Sequence, residues 1–109
     1  MEIKQSRNGE VNIFEFVGNL DTATSPEAEK AIMDCIDGGE TKLVLNLGQT
    51  AYISSSGLRI MLATAKKLKN NGVLRICNLN TTVKEVFEIS GFISILNVDE
   101  TLEATLSNF

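Results

Sequence analysis

Apolar and polar positions along the chain change their period several times, and each change marks an element. "VNIFEFVG" (11–18), a short run of β-branched and aromatic residues broken only by Asn12 and Glu15, reads as a strand. "MEIKQS" reads as a second strand, and the intervening "RNGE" carries Asn8-Gly9, a strong signal for a tight hairpin. After the polar loop "NLDTAT" the period lengthens. Over "SPEAEKAIMDCIDGG", Ala28, Ile32, Cys35 and Ile36 line one helical face. Ser25 is placed to cap this helix, Pro26 suits its first position, Glu27 and Glu29 favour its positive start, and Gly38-Gly39 ends it.

"KLVLNL" (42–47) is almost continuously apolar, as expected of a central strand covered on both faces. "GQTAYISSS" reads as the loop leaving its carboxyl end. From Gly57 the helical period returns, with Leu58, Met61, Leu62, Ala65 and Leu68 in one arc, until Asn70-Asn71-Gly72 stops it. Opposite that arc lie Ile60, Ala63 and Lys67, flanked by Arg59 and Thr64. They predict a small exposed apolar face, a candidate docking surface. "VLRIC" is a further strand. "TTVKEVFEISGF" reads as a short helix with Thr82 and Glu85 as a capping box, Val83, Val86 and Phe87 buried, and Gly91 as its stop. "ISILNV" then reads as a last strand and "DETLEATLSNF" as a closing helix capped by Asp99.

The order β-β-α-β-α-β-α-β-α predicts an α/β fold, a central mixed, mostly parallel sheet of about five strands with packing helices. No repeat or linker divides the chain, so residues 1–109 are read as one domain. In such sheets the functional surface forms at the carboxyl ends of the strands. Two polar loops, "GNLDTATS" and "YISSSG", are expected to meet there.

Composition narrows the function. With 109 residues, 43% of them apolar, the chain is able to bury a core without metal or disulfide support. A net charge of −4 disfavours nucleic acid, which is held by cations facing its phosphates. No apolar run approaches the ~20 residues of a membrane span, and the start lacks the layout of a signal peptide, so a cytoplasmic location is expected. Lys66, Lys67 and Lys69 read as the solvated face of a helix. Cys35 and Cys77 sit at apolar-periodic positions without CxxC spacing, so they read as buried thiols and not as zinc ligands. No cofactor is expected.

The chemistry concentrates in Ser54, Ser55 and Ser56. The chain has no histidine to activate a serine, and "SSSG" is not the G-x-S-x-G elbow. Neither a G-x-x-x-x-G-K-[ST] nor a G-x-G-x-x-G phosphate loop is present. A helix cap needs one serine, worth about 1 kcal/mol. The others would stand at a helix N-terminus, where amides and the macrodipole tolerate an added anion, so a phosphoryl acceptor competes with the purely structural reading.

Three stretches together carry a resemblance: "GNLDTATSPEAE", "KLVLNLGQTAYISSSGLRIMLATAKKLKNNG" and "TVKEVFEISGFISILNVDETLEA". Across nearly its whole length the chain resembles the anti-sigma factor antagonists, the founding branch of the STAS domains. The most specific element is the strand, loop, serine-serine-glycine-leucine and helix; "G-x-L-D" is a second match. The resemblance implies that Ser56, directly before the glycine, accepts phosphate, with Ser55 a minor site, and that Asp21 lies beside it. Many members carry aspartate where Ser54 stands. The implied surface for a partner comprises Asp21, Thr24, Ser54, Ser55, Gly57, Leu58, Arg59, Ile60 and Ala63. The implied cycle is non-enzymatic partner switching. The unmodified chain binds an anti-sigma factor that is also a serine kinase of the ATP-binding, histidine-kinase-like type; phosphorylation releases it, and a metal-dependent serine phosphatase resets the chain. A STAS module of another signalling or transport complex is the nearest alternative. A small-molecule or nucleotide-binding enzyme domain is the alternative from a different class.

Overall fold

The computed structural model describes residues 1–109. Strands β1 (Glu2–Asn8) and β2 (Val11–Leu20) form the expected hairpin, with Gly9 in the left-handed conformation at its turn. There follow α1 (Ser25–Asp37), β3 (Lys42–Asn46), β4 (Thr50–Ile53), α2 (Ser55–Leu68), β5 (Val73–Cys77), α3 (Thr81–Ser90), α4 (Phe92–Ile95), β6 (Asn97–Asp99) and α5 (Leu102–Ser107). The sheet has six strands in the order β1-β2-β3-β5-β6, with β4 paired to the far half of β2. Every pairing except β1–β2 is parallel.

Alternation along the strands sends side chains to two layers. Phe14, Phe16, Leu43, Leu45, Leu74 and Ile76 face α1, α2 and α3, where Ile32, Met61 and Phe87 complete the main core. Val11, Ile13, Val44 and Cys77 face the other way and pack against Leu102 and Leu106 of α5. The closing helix is clasped by Asp99. Arg75 donates to it from Nε (2.9 Å) and Nη2 (3.3 Å), Asn108 from Nδ2 (2.9 Å), and Thr105 through its hydroxyl. The Arg75 hydrogen bond leads the effects that hold the Asp99 carboxyl below its ordinary pKa. Burial pushes the Cys77 thiol up to about 11, and both cysteines are free.

Five expectations are corrected. "GQTAYISSS" is not all loop. Thr50–Ile53 is a strand, hidden from the pattern because Ala51 and Tyr52 are both exposed and only its ends are buried. "ISILNV" is not a strand from Ile93. Gly91, at φ +81°, starts α4, and Phe92 packs edge-on against Phe87 at 6.4 Å, so tertiary packing overrides the β-branched run until Asn97. The caps are shifted as well. Asn80, not Thr82, caps α3 through Val83 N–H (2.7 Å); Thr101, not Asp99, caps α5 through Ala104 N–H (3.1 Å). Ser25 is not a cap but the first residue of α1.

Candidate functional site

The site is built by the part of β2 that outruns β3. At Gly18 (φ +115°) the strand bulges, its N–H donates to Gln49 O (3.0 Å), and the register shifts before Asn19 pairs with Tyr52. β2 and β4 therefore end side by side, Leu20 against Ile53, and the helices that follow them start next to one another. Asn80 ties this corner to α3: its Nδ2 donates to Thr50 O (2.9 Å) while its Oδ1 caps the helix.

The adjacent serines have three different surroundings. Ser54 is the cap. Its N–H donates to Leu20 O (2.9 Å), its carbonyl accepts from Leu58 N–H (3.0 Å) and its Oγ accepts from Gly57 N–H (3.4 Å). Ser55 is exposed. Ser56 is half-buried, and its Oγ lies 3.3 Å from Thr22 Oγ1, a hydroxyl–hydroxyl hydrogen bond between the two loops. Gly57 is needed for close approach, since a Cβ there would lie 2.8 Å from Ile53 Cγ1 and 2.9 Å from Leu20 O. The glycine lets the first turn of α2 rest directly on the ends of β2 and β4.

Asp21 organises the facing loop. Its Oδ1 accepts from the N–H groups of Ala23 (3.0 Å) and Thr24 (3.1 Å), and its carbonyl accepts from Ser25 N–H (2.8 Å). Thr24 Oγ1 accepts from Asp21 N–H (3.0 Å) and donates to Asn19 O (2.7 Å). The carboxylate thus serves as the cap of the turn leading into α1. The residue that touches Ser56 is Thr22, the neighbour of Asp21, which the sequence reading did not single out.

Thr22, Ser25, Glu29, Ser56, Arg59 and Ile60 line an open depression of about 230 Å³ between the starts of α1 and α2. Ser25 and Glu29 were likewise not read as site residues; the only signal for them was their place in the first turns of the neighbouring helix. The expected docking face is corrected. Ile60 is 5% exposed and belongs to the main core, and Thr64 is fully buried with its hydroxyl on Ile60 O (2.8 Å). Because α1 packs beside α2, the covered arc is wider than the face turned to the sheet. Gly57 and Leu58 are buried too and support the surface from below. What α2 presents outward is Ser55, Arg59, Lys66 and Lys67, the last paired with Asp37 (3.0 Å), with Leu62 and Ala63 partly covered, next to Tyr52 at 48% exposure. Arg59 makes no ion pair.

A larger depression, about 410 Å³, lies away from the serines between α3, α4 and the end of β6, lined by Leu79, Lys84, Ile93, Val98, Asp99 and Glu100. Its one partly buried carboxylate, Asp99, is already committed to Arg75. No helix is long and apolar enough to cross a membrane.

Comparison with known proteins gives the family. BtrV of Bordetella bronchiseptica, described as an anti-sigma factor antagonist, is 43% identical over 93 residues, spanning 84% of this chain and 80% of its own. Among solved structures, an anti-sigma factor antagonist from Thermotoga maritima superimposes with a TM-score of 0.93 at 18% identity, covering 97% of this chain and 92% of its own. The Bacillus protein SpoIIAA does so in its unphosphorylated form (TM-score 0.83, 22% identity, 98% and 95% coverage) and in its phosphorylated form (0.74, 21%, 98% and 98%). The STAS domain model matches residues 2–105. With six strands in the order described and its serine loop beside the start of α1, the chain belongs to the STAS domain family.

Proposed function

We propose that this chain is an anti-sigma factor antagonist whose hold on its partner is set by phosphorylation of Ser56. The observation that carries the reading is the division of labour among the serines. Ser54 alone caps α2, which leaves the hydroxyl of half-buried Ser56, in the first helical turn and bonded only to the Thr22 hydroxyl, uncommitted to the cap. Relatives named as anti-sigma factor antagonists, and a shared fold with SpoIIAA, solved with and without phosphate, support it.

In this reading the unmodified chain binds an anti-sigma factor that is also a serine kinase, and the sigma factor is freed. Asp21, Thr24, Ser55, Arg59 and Ala63 supply contacts around Ser56, with Ser54, Gly57, Leu58 and Ile60 holding that surface in shape. Ser56 Oγ attacks the γ-phosphorus of ATP; an O–P bond forms, the bond to the β–γ bridging oxygen breaks, ADP leaves and the hydroxyl proton passes to a base on the kinase. A metal-dependent phosphatase returns serine and inorganic phosphate by adding water. The added group brings about −1.5 to −2 charges. A 100-fold weaker complex requires about 2.8 kcal/mol, and one like-charge contact in partly screened surroundings supplies on the order of 1–4 kcal/mol.

The test is intact-mass and peptide mapping of the chain from its own cells, with partner co-purification. One phosphate on the Ser56 peptide is expected, absent in Ser56→Ala and retained in Ser55→Ala. Ser56→Ala is expected to keep the partner and Ser56→Glu to lose it. A chain that carries no phosphate through growth, starvation and stress overturns the switch.

A further inference from the structure

The depression beside Ser56 contains a hydroxyl that nothing in the fold uses. Ser25 is 5% exposed, lines the depression, and its Oγ has no hydrogen-bond partner. Buried side-chain oxygens are nearly always paired, so an orphan hydroxyl on a residue that lines a surface depression marks a place for a ligand. Three further features converge there. Thr22 brings a second hydroxyl, already 3.3 Å from Ser56 Oγ. Arg59, one turn after Ser56, lines the same depression without an ion pair. The 13-residue α1 and the 14-residue α2 both start at its rim, and the amides of Ser55 and Ser56 have no protein acceptor. Hydroxyls, a guanidinium and the open amides at the start of α2 are the chemistry of an oxyanion such as phosphate; α1 adds only its dipole, since its Ser25 N–H is bonded to Asp21 O and Pro26 has none.

Glu29 argues about the source of that anion. It is the one acidic group on the lining, and the whole chain carries −4, so a free phosphate in solution would be poorly attracted. An anion tethered to Ser56 is already present at high effective concentration and overcomes that opposition. The carboxylate of Asp21, in the facing loop, is occupied by the amides of Ala23 and Thr24.

We infer that this depression is a receptor, within the same chain, for the phosphoryl group carried by Ser56. Thr22 and Ser25 donate their hydroxyls to phosphate oxygens and Arg59 pairs with the charge. The inference rests on Ser56 being the acceptor. It adds a second half to the switch. Phosphorylation places an anion on the surface and also withdraws Arg59, the exposed cation next to it, from whatever acidic group a partner offers.

The experiment installs phosphoserine at position 56 during translation, so that neither kinase nor partner is involved, and follows the phosphorus NMR shift against pH. The ordinary second pKa is about 6. In the folded chain it is expected to lie on the order of 1 unit below that of a peptide of the same local sequence. Arg59→Gln and Ser25→Ala are each expected to move it back up, Glu29→Gln to move it further down, and the distant Lys84→Gln to leave it unchanged. Ser25→Ala removes no bond in the unmodified chain, so its unmodified form is expected to melt no lower than wild type; Thr22→Val is the second variant. A second pKa equal to the peptide's and unmoved by Arg59→Gln overturns the receptor, whatever the partner assays give. A depressed value in a chain that cells never phosphorylate keeps the receptor and removes the switch.

Discussion

Gly57→Ala puts the geometry of the serine loop to a direct test. A Cβ at this position would meet Ile53 Cγ1 at 2.8 Å, Leu20 O at 2.9 Å and Leu20 Cγ at 3.0 Å. Leu20 O is backbone, Leu20 Cγ is a branch point and Ile53 Cγ1 is a methylene of a fully buried side chain, so none moves away cheaply. Overpacking of this kind costs about 1–3 kcal/mol. Alanine's better helix propensity returns up to about 1 kcal/mol. The net loss is then about 1–2 kcal/mol, a fall of roughly 5–15 °C in Tm for a domain of this size. Thermal unfolding followed by circular dichroism measures it. Hydrogen exchange at Ser54 and Leu58 reports whether the first turn has lifted off Leu20. Gly38→Ala is the control. There a Cβ would meet only Asp34 O and Cys35 O, both at 3.4 Å, and the Tm is expected to hold. A Gly57→Ala chain as stable as wild type would refute the claim that the glycine is there for close packing.

Other expected outcomes follow from the same structure. Asp99→Asn leaves Arg75 facing no carboxylate at a site where the pair's side chains are only 17% and 12% exposed, and a loss of about 3 kcal/mol in urea unfolding is expected. The Asp99 pKa is depressed in the folded chain, so its contribution is complete above the unfolded value of about 3.9 and fades as pH falls through the lower folded value. Wild type should therefore lose stability below about pH 4 more steeply than Asp99→Asn. Asn80→Ala removes the cap of α3 and the bond to Thr50 O; about 1–2 kcal/mol and faster amide exchange in β4 are expected. With disulfide reagents at pH 8, half-exposed Cys35 should label first, and Cys77, buried under α5, only as that helix opens.

The parts legible in the sequence are those in which one period dominates. β2, β3, α1 and α2 follow from a β-branched and aromatic run beside a hairpin turn, an unbroken apolar run and helical spacing, and Gly91 does terminate α3. β4 was illegible because its pairing partner is the overrun of β2, a tertiary fact, and its two middle side chains face solvent. α4 was illegible because Ile93 and Ile95 have strand propensity, and the short turn of helix is decided by Phe92 on Phe87. At the site, the serine loop and Asp21 were visible. Thr22, Ser25 and Glu29 were not, because what makes them relevant is the adjacency of two helix starts. The Ile60 error has the same origin, since a wheel drawn for one helix on one sheet cannot show a second helix beside it.

That adjacency decides what phosphate on Ser56 does to the fold. A switch could work by melting the first turn of α2 or by changing a surface that stays folded. Gly57 packed on Leu20 and Ile53, and Ser54 capping beneath, oppose melting, and an anion at a helix N-terminus is stabilising by about 0.3–1 kcal/mol. The phosphorylated chain is therefore expected to melt at the same temperature as the unmodified one or up to roughly 8 °C higher. Calorimetry on chain with phosphoserine installed at position 56 gives the sign. A rise, together with lost partner binding, means that the roughly 2.8 kcal/mol needed for a 100-fold weaker complex is exacted entirely at the interface. A clear fall would mean that the turn unfolds and that the partner reads disorder instead of charge.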